Sequence, residues 1–225
     1  MTPNPTQRLL AEAAGTFILV FAGTGAIIVD ERSDADLGQL GIGLVFGLAI
    51  AVGVFTTRRV SGAHFNPAIS LGLSVIGRFR YRAIAPYVAA QLAGAIAASL
   101  LLRALFGDVA DLGATVPDGA LWKAFLIEVT ITSFLAFVIA RVASEASLPD
   151  FGAALAIGGA VALGALLGGP LTGGSMNPAR SFAPALVSLT FESNWLYWLA
   201  PAVGAVVGMV AFAIIDGGRT EAASE

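Results

Sequence analysis

Residues 61–70 read SGAHFNPAIS and residues 173–182 read GGSMNPARSF, so Asn-Pro-Ala stands twice, as Asn66-Pro67-Ala68 and as Asn177-Pro178-Ala179. Asparagine caps a helix because its side-chain oxygen accepts a backbone N–H, and proline suits the first helical position, where no N–H is needed. Each tripeptide therefore predicts the start of a helix. The flanking sequence is apolar, and hydrocarbon offers nothing to the free polar groups of a helix end. Two such starts at membrane depth belong beside a protein-lined, water-filled path.

Composition places the chain in a bilayer. With 57% hydrophobic residues, 12% charged residues and a mean hydropathy of +0.85, it carries more apolar surface than one soluble core can hide. The net charge of -3 is small and dispersed, which argues against a nucleic-acid or polyanionic partner. With no cysteine and one histidine, disulfides, thiolate metal sites and most histidine-ligated cofactors are excluded. No metal and no cofactor are expected.

Apolar segments of about 20 residues, enough to cross a bilayer, fall near 8–29, 38–57, 83–105, 121–140, 151–168 and 194–215. Glu12 interrupts the first, and a second span follows directly, so it reads as a span and not as a cleaved leader. Two shorter apolar pieces, roughly 62–77 and 174–189, each carry one Asn-Pro-Ala and read as re-entrant half-helices. If the N-terminus is cytoplasmic, the inner side holds Arg8, Arg58, Arg59, Arg78, Arg80, Arg82, Arg141 and Arg219. The outer side holds Arg32, Arg103, Lys123 and Arg180, together with Asp30, Glu31, Asp34, Asp36, Asp108, Asp111 and Asp118. That asymmetry satisfies the positive-inside rule, and counting either short piece as a full span would spoil it.

The halves match beyond the tripeptides. RLLAEAAGTFILVF and KAFLIEVTITSFLAFVI each carry one glutamate, Glu12 and Glu128, and Gly94 and Gly204 lie 110 residues apart, against 111 for the two asparagines. A duplicated unit of three spans and a half-helix must insert in opposite senses, which gives an inverted repeat. The expectation is one domain over 1–225, with repeats at about 7–106 and 120–216 and loose tails at 1–6 and 217–225.

Two Asn-Pro-Ala loops, Glu12 and Glu128, the stretch SGAHFNPA, and Arg180 directly after the second tripeptide together resemble the aquaporin, or major intrinsic protein, family over essentially the whole chain. The resemblance implies an all-α membrane fold, six transmembrane helices plus two half-helices, and a pore in each subunit of a homotetramer. It implies a channel for water and small neutral solutes, with Asn66, Pro67, Ala68, Asn177, Pro178 and Ala179 at its centre. Each half-helix start carries roughly +0.5 elementary charge, so two facing each other oppose any cation. The asparagine amides donate to the passing oxygen.

In that family the arginine forms an outer constriction with three further positions, which spacing carries onto Phe46, Ala165 and Gly174. Strict water channels place a histidine where Ala165 stands and commonly a threonine or cysteine at Gly174. Glycerol channels pair an aromatic at the Gly174 position with an aspartate after the arginine, where this chain has Ser181. Tyr197-Trp198 looks like the water-channel type. A small-residue filter is most similar to nodulin-type intrinsic proteins and their bacterial relatives. The expected cargo is water with glycerol, and by extension urea or undissociated metalloid acids. The alternatives are a water-selective aquaporin and, more distantly, a proton-coupled transporter using Glu12 and Glu128.

Against the relay, each repeat supplies one glutamate and one re-entrant loop whose backbone needs partners, so the carboxylates are expected to support the loops. His64 is expected as a neutral lining of the inner vestibule. Gly43 with Gly47, Gly164 with Gly168, and Gly204 with Gly208 have the spacing of close helix packing. Trp122, Trp195, Tyr197 and Trp198 are placed in interfacial belts. No acid–base pair, GxSxG or phosphate loop supports an enzyme. A multi-pass membrane location is expected, with short termini that suit a bacterial inner membrane.

Overall fold

The computed structural model describes residues 2–32, 36–145 and 147–217. Asp34, Arg219 and most of the expected C-terminal tail lie outside the described residues. Six helices are long and apolar enough to cross a membrane: α1 (Pro5–Arg32), α2 (Gly38–Ser61), α4 (Ile84–Phe106), α5 (Leu121–Ser144), α6 (Asp150–Thr172) and α8 (Leu196–Ile215). Between them stand two short helices, α3 (Pro67–Val75) and α7 (Pro178–Ser188), and the described residues contain no strand.

Most spans extend past their apolar stretches because polar residues continue the helix into the interface. α1 begins before its predicted start, and residues 4–6 are not the loose tail that composition suggested. Asn4 and Gln7 form a capping box: the Gln7 N–H donates to Asn4 Oδ1 at 2.9 Å and the Asn4 N–H to Gln7 Oε1 at 2.8 Å, with Pro5 at the first helical position.

Packing repeats with the sequence. α1 lies against α2 and α4 as α5 lies against α6 and α8, α3 packs on α8 as α7 packs on α4, and α2 meets α6 between the halves. Glycine sets the close approaches. A Cβ at Gly94 would stand 2.0 Å from the Ala13 carbonyl oxygen, and one at Gly204 would stand 2.5 Å from that of Val129. The α4–α1 and α8–α5 crossings are thus built alike. Of the predicted glycine pairs, Gly43 and Gly47 admit Leu166 and Ala162 of α6, and Gly208 lets α8 onto Ser133 of α5. Gly164 and Gly168 make room chiefly for Met176 and Ile131.

The aromatic belt divides. Trp122 and Trp195 are exposed, at 63% and 54%, whereas Tyr197 is fully buried and donates to the Thr172 carbonyl at 2.7 Å. Position near a span end did not distinguish a headgroup anchor from a tyrosine with an internal acceptor.

Candidate functional site

The two tripeptides start the two short helices in nearly identical geometry. Asn66 and Asn177 are extended N-caps, both at φ -154°, and Pro67 and Pro178 take the first helical position. Asn66 Oδ1 accepts the Ala68 N–H at 2.9 Å, and Asn177 Oδ1 accepts those of Ala179 and Arg180 at 3.0 and 3.4 Å. Each side-chain amide then crosses to the other repeat. Asn66 Nδ2 donates to the Met176 carbonyl at 2.7 Å, and Asn177 Nδ2 donates to the Phe65 carbonyl at 2.9 Å. An amide nitrogen has two hydrogens, so each asparagine keeps one after locking the loops together.

Both loops reach this point through the same backbone handedness. Gly62, Ala63 and Phe65 have φ of 92°, 54° and 50°, and Gly173, Gly174 and Met176 have 78°, 56° and 53°. Left-handed alanine, phenylalanine and methionine are strained by about 1–3 kcal/mol each and persist only where surroundings overdetermine them. The glutamates do so. Glu12 accepts from Ser61 Oγ at 2.7 Å, the His64 N–H at 3.0 Å, the Phe65 N–H at 2.7 Å and Gln91 Nε2 at 2.8 Å. Glu128 accepts from Thr172 Oγ1 at 2.6 Å and from the Ser175 and Met176 N–H groups at 2.8 and 2.9 Å. Neither glutamate lines the central cavity.

Sequence reasoning missed the second tier of this support. Tyr87 donates to the Ser61 carbonyl at 2.9 Å, the mirror of Tyr197 on Thr172. Ser70 meets His64 Nδ1 at 3.0 Å, and Ser181 meets Ser175 Oγ at 2.5 Å. The signal was present in the numbering, since Tyr87 and Tyr197 have the same separation as Gly94 and Gly204.

A single cavity receives the predicted residues. Phe46, His64, Asn66, Ala165, Gly174, Asn177 and Arg180 all line it, opposite an apolar wall that includes Leu19, Ile50, Leu135 and Val161. It offers water-sized occupants about 30 Å³, where one water centre needs about 10–15 Å³. It therefore has room for about two or three water centres. The carbonyls of the lining residues Ala63, His64, Gly174 and Ser175 accept no hydrogen bond from the described residues, which leaves acceptors beside Asn66, Asn177 and Arg180. Pro67, Ala68, Pro178 and Ala179 are buried behind it.

Arg180 is 2% exposed and lines the cavity. Its guanidinium carbon lies 4.8 Å from the centre of the Phe46 ring, and Nη1 donates to the Gly113 carbonyl at 2.7 Å. Its Nε is buried with no partner among the described residues. Gly113 is presented by a left-handed turn in which Ala110, Asp111 and Leu112 have φ of 49°, 48° and 55°. Burial of Leu112 against Ile28, Leu102 and Val187 offsets that strain.

Gly174 differs from its expected role. A Cβ there would meet the Gly169 nitrogen at 3.0 Å and the Ala165 Cα at 3.2 Å, so the glycine seats the loop on α6 and its missing side chain adds no width. Ala165 alone is left to account for breadth, and Gln39 Nε2, a contact no motif announced, donates to its carbonyl at 2.7 Å. His64 is wedged between Phe79 and Tyr87, with ring centres 4.6 and 5.2 Å away. Among the described residues no three His, Cys, Asp or Glu side chains gather as a metal site would require.

The sequence model of the major intrinsic protein family matches residues 2–212. The chain belongs to that family. Among plant relatives, Aquaporin NIP1-4 of Oryza sativa subsp. japonica is 44% identical over 218 residues, covering 96% of this chain and 80% of its own length. Nodulin-26 of Glycine max is 43% identical over 210 residues, covering 93% and 78%. The solved aquaglyceroporin from Plasmodium falciparum superposes with a TM-score of 0.83 at 28% identity, covering 93% of this chain and 94% of that one. Family membership with six apolar spans makes this an integral, multi-pass membrane protein. The two sequence relatives are plant proteins, which gives the expected bacterial inner membrane no support.

Proposed function

We propose that the chain is a passive channel for water and small uncharged hydroxylated solutes. The observation that carries this reading is that both tripeptide asparagines, Arg180 and Phe46 line one narrow cavity with an apolar wall on one side and free carbonyls on the other. A neutral solute exchanges its water partners for the carbonyls and for the spare amide hydrogens of Asn66 and Asn177. A cation meets two helix N-termini and a guanidinium. Phe46, Ala165, Gly174 and Arg180 form the outer constriction, and Gln39 steadies the Ala165 turn of α6.

Proteoliposomes studied by stopped-flow light scattering test the cargo. Water, glycerol, urea and boric acid should all move faster than through protein-free vesicles. Flow of water alone would refute the broad filter, and no accelerated flow at all would refute the channel. Ala165→His should fill the one gap the filter retains. It should slow glycerol by about tenfold or more, equivalent to ~1.4 kcal/mol of added barrier, while water is largely spared.

The wedged ring of His64 makes it a fixed wall. Water flow measured from about pH 5 to about pH 8, across the range where an ordinary histidine titrates, should show no step. A sigmoidal change over that interval, abolished by His64→Gln, would make it a gate.

The domain reading remains one unit of two repeats, about 7–106 and 120–216, with both termini on the cytoplasmic side. Homotetramer assembly is proposed from family membership; the exposed apolar rows on α2 and α6 suit lipid and a neighbouring copy alike. Light scattering of the detergent-solubilised protein tests it, and a particle holding the protein mass of one chain would exclude it.

A further inference from the structure

The turn between α3 and α4 reads Arg78-Phe79-Arg80-Tyr81-Arg82 and is built rigidly. α3 closes in a Schellman motif: the Arg78 N–H reaches the Leu73 carbonyl at 2.8 Å and the Gly77 N–H that of Ser74 at 3.1 Å, with Gly77 at φ 72°. Phe79 turns inward onto His64 and Tyr87, at ring-centre distances of 4.6 and 4.7 Å. The Ala83 N–H then closes on the Arg80 carbonyl at 2.9 Å, and the apolar span of α4 begins at Ile84.

The charges of this turn are unanswered among the described residues. Every other described basic side chain has a partner. Arg58 and Arg59 hold Asp150, Arg103 holds Asp108, and Arg141 holds Glu145. Arg8, Arg32 and Arg180 donate to backbone carbonyls, and Lys123 lies over Trp122. Arg78, Arg80 and Arg82 have neither a carboxylate nor a hydrogen-bond acceptor for their side chains among the described residues. Between them Tyr81 is 80% exposed, the most exposed large hydrophobic side chain described, and Val75 just before the turn is 52% exposed.

We infer that this turn is a docking surface for the anionic headgroups of phospholipids in the leaflet at that end of the bundle. Its level fixes the class of partner. Three unpaired guanidiniums stand within the six residues before an apolar span, and an amphipathic tyrosine ring among them suits the zone between headgroup and acyl chain. Guanidinium forks match phosphate oxygens in pairs. Because Phe79 and the Schellman turn hold the backbone of the segment, binding has only the arginine side chains left to order. The inference is independent of what passes the pore.

The test uses the purified full-length protein, titrated with phosphatidylglycerol and with phosphatidylcholine of the same acyl chains and read by native mass spectrometry. The parent should retain phosphatidylglycerol preferentially. Near a surface each basic charge contributes about fivefold in binding. The triple variant Arg78→Gln, Arg80→Gln, Arg82→Gln should therefore lose about a hundredfold, while Arg141→Gln should not lose retention. Tyr81→Ala should weaken both lipids alike. Unchanged water flow and melting temperature show that the triple variant is folded; if it does not fold, the single variants carry the same test at about fivefold each. Equal retention of the two lipids by the parent, parent-level retention by the folded variants, or displacement of the lipid by millimolar inorganic phosphate would overturn the proposal, the last in favour of a free-anion site.

Discussion

Replacing Arg180 with valine is expected to let protons and small cations leak through a pore that still conducts water. Valine deletes the one fixed charge on the outer cavity wall, leaves the Gly113 carbonyl without its 2.7 Å donor and unstacks the guanidinium from Phe46. A carbonyl released in this way attracts the cations that the guanidinium had repelled. Two unit charges at 4 Å interact by about 4 kcal/mol at an effective dielectric of 20, which is roughly a thousandfold in rate. That figure bounds the gain from above, because the second barrier, the paired helix starts at Asn66 and Asn177, is untouched. The leak should therefore rise by one to a few decades without reaching free diffusion. Vesicles loaded with a pH-sensitive dye and challenged with an acid pulse measure it. Arg180→Lys is the control that retains charge without the planar fork, and it should leak far less than valine. Equal proton flux in the valine variant and the parent would place the ion barrier elsewhere.

The difference between barrier and scaffold follows what the sequence made legible. Asn-Pro-Ala is a local signal, since cap and first-turn proline act within three residues, and both copies formed the helix starts it predicts. The spans were equally legible because hydrocarbon imposes length and polarity together. Glu12 and Glu128 stood out as rare charges in apolar runs.

What escaped depends on tertiary contact. The turn Ala110–Gly113 sets alanine and leucine at left-handed φ, and it is held by Leu112 packing, the Arg180 bond, the Leu112 N–H on the Val109 carbonyl and Thr190 on Asp111. Gly174 was read as a missing side chain because composition cannot reveal that α6 lies 3.0 Å from its Cβ direction. Tyr197 was assigned to an interface because its acceptor, the Thr172 carbonyl, is 25 residues away in the chain. Gln39 was silent for the same reason, its partner Ala165 being 126 residues distant.

Removing either buried glutamate is expected to abolish the folded protein, and the manner of failure separates scaffold from proton relay. Glu12→Ala orphans Ser61 Oγ and the His64 and Phe65 N–H groups, and Glu128→Ala orphans the Ser175 and Met176 N–H groups, while Gln91 and Thr172 keep second acceptors on Ser70 and the Gly168 carbonyl. A buried unsatisfied donor costs about 1–3 kcal/mol, so two or three cost about 2–9 kcal/mol, against the 5–15 kcal/mol that typically stabilises a whole domain. Glutamine is milder and informative. In Glu128→Gln the carboxamide oxygen can keep Thr172 and Ser175, but the NH2 then opposes the Met176 N–H. In Glu12→Gln the NH2 opposes the Phe65 N–H, yet Gln91 can rotate its amide and offer Oε1, which is buried and without a partner in the parent. Glu12→Gln should therefore melt above Glu128→Gln, and adding Gln91→Leu should remove that advantage. Size-exclusion profiles and thermal unfolding in detergent read the order. The glutamine variants that fold should carry water and glycerol at rates that do not respond to an imposed pH gradient, like the parent, because neither carboxylate touches the cavity. Alanine variants that fold and conduct at parental rates would show that the loops are held by something other than these carboxylates. Parental uptake that follows a proton gradient and loses this dependence in Glu12→Gln would make the protein a coupled carrier.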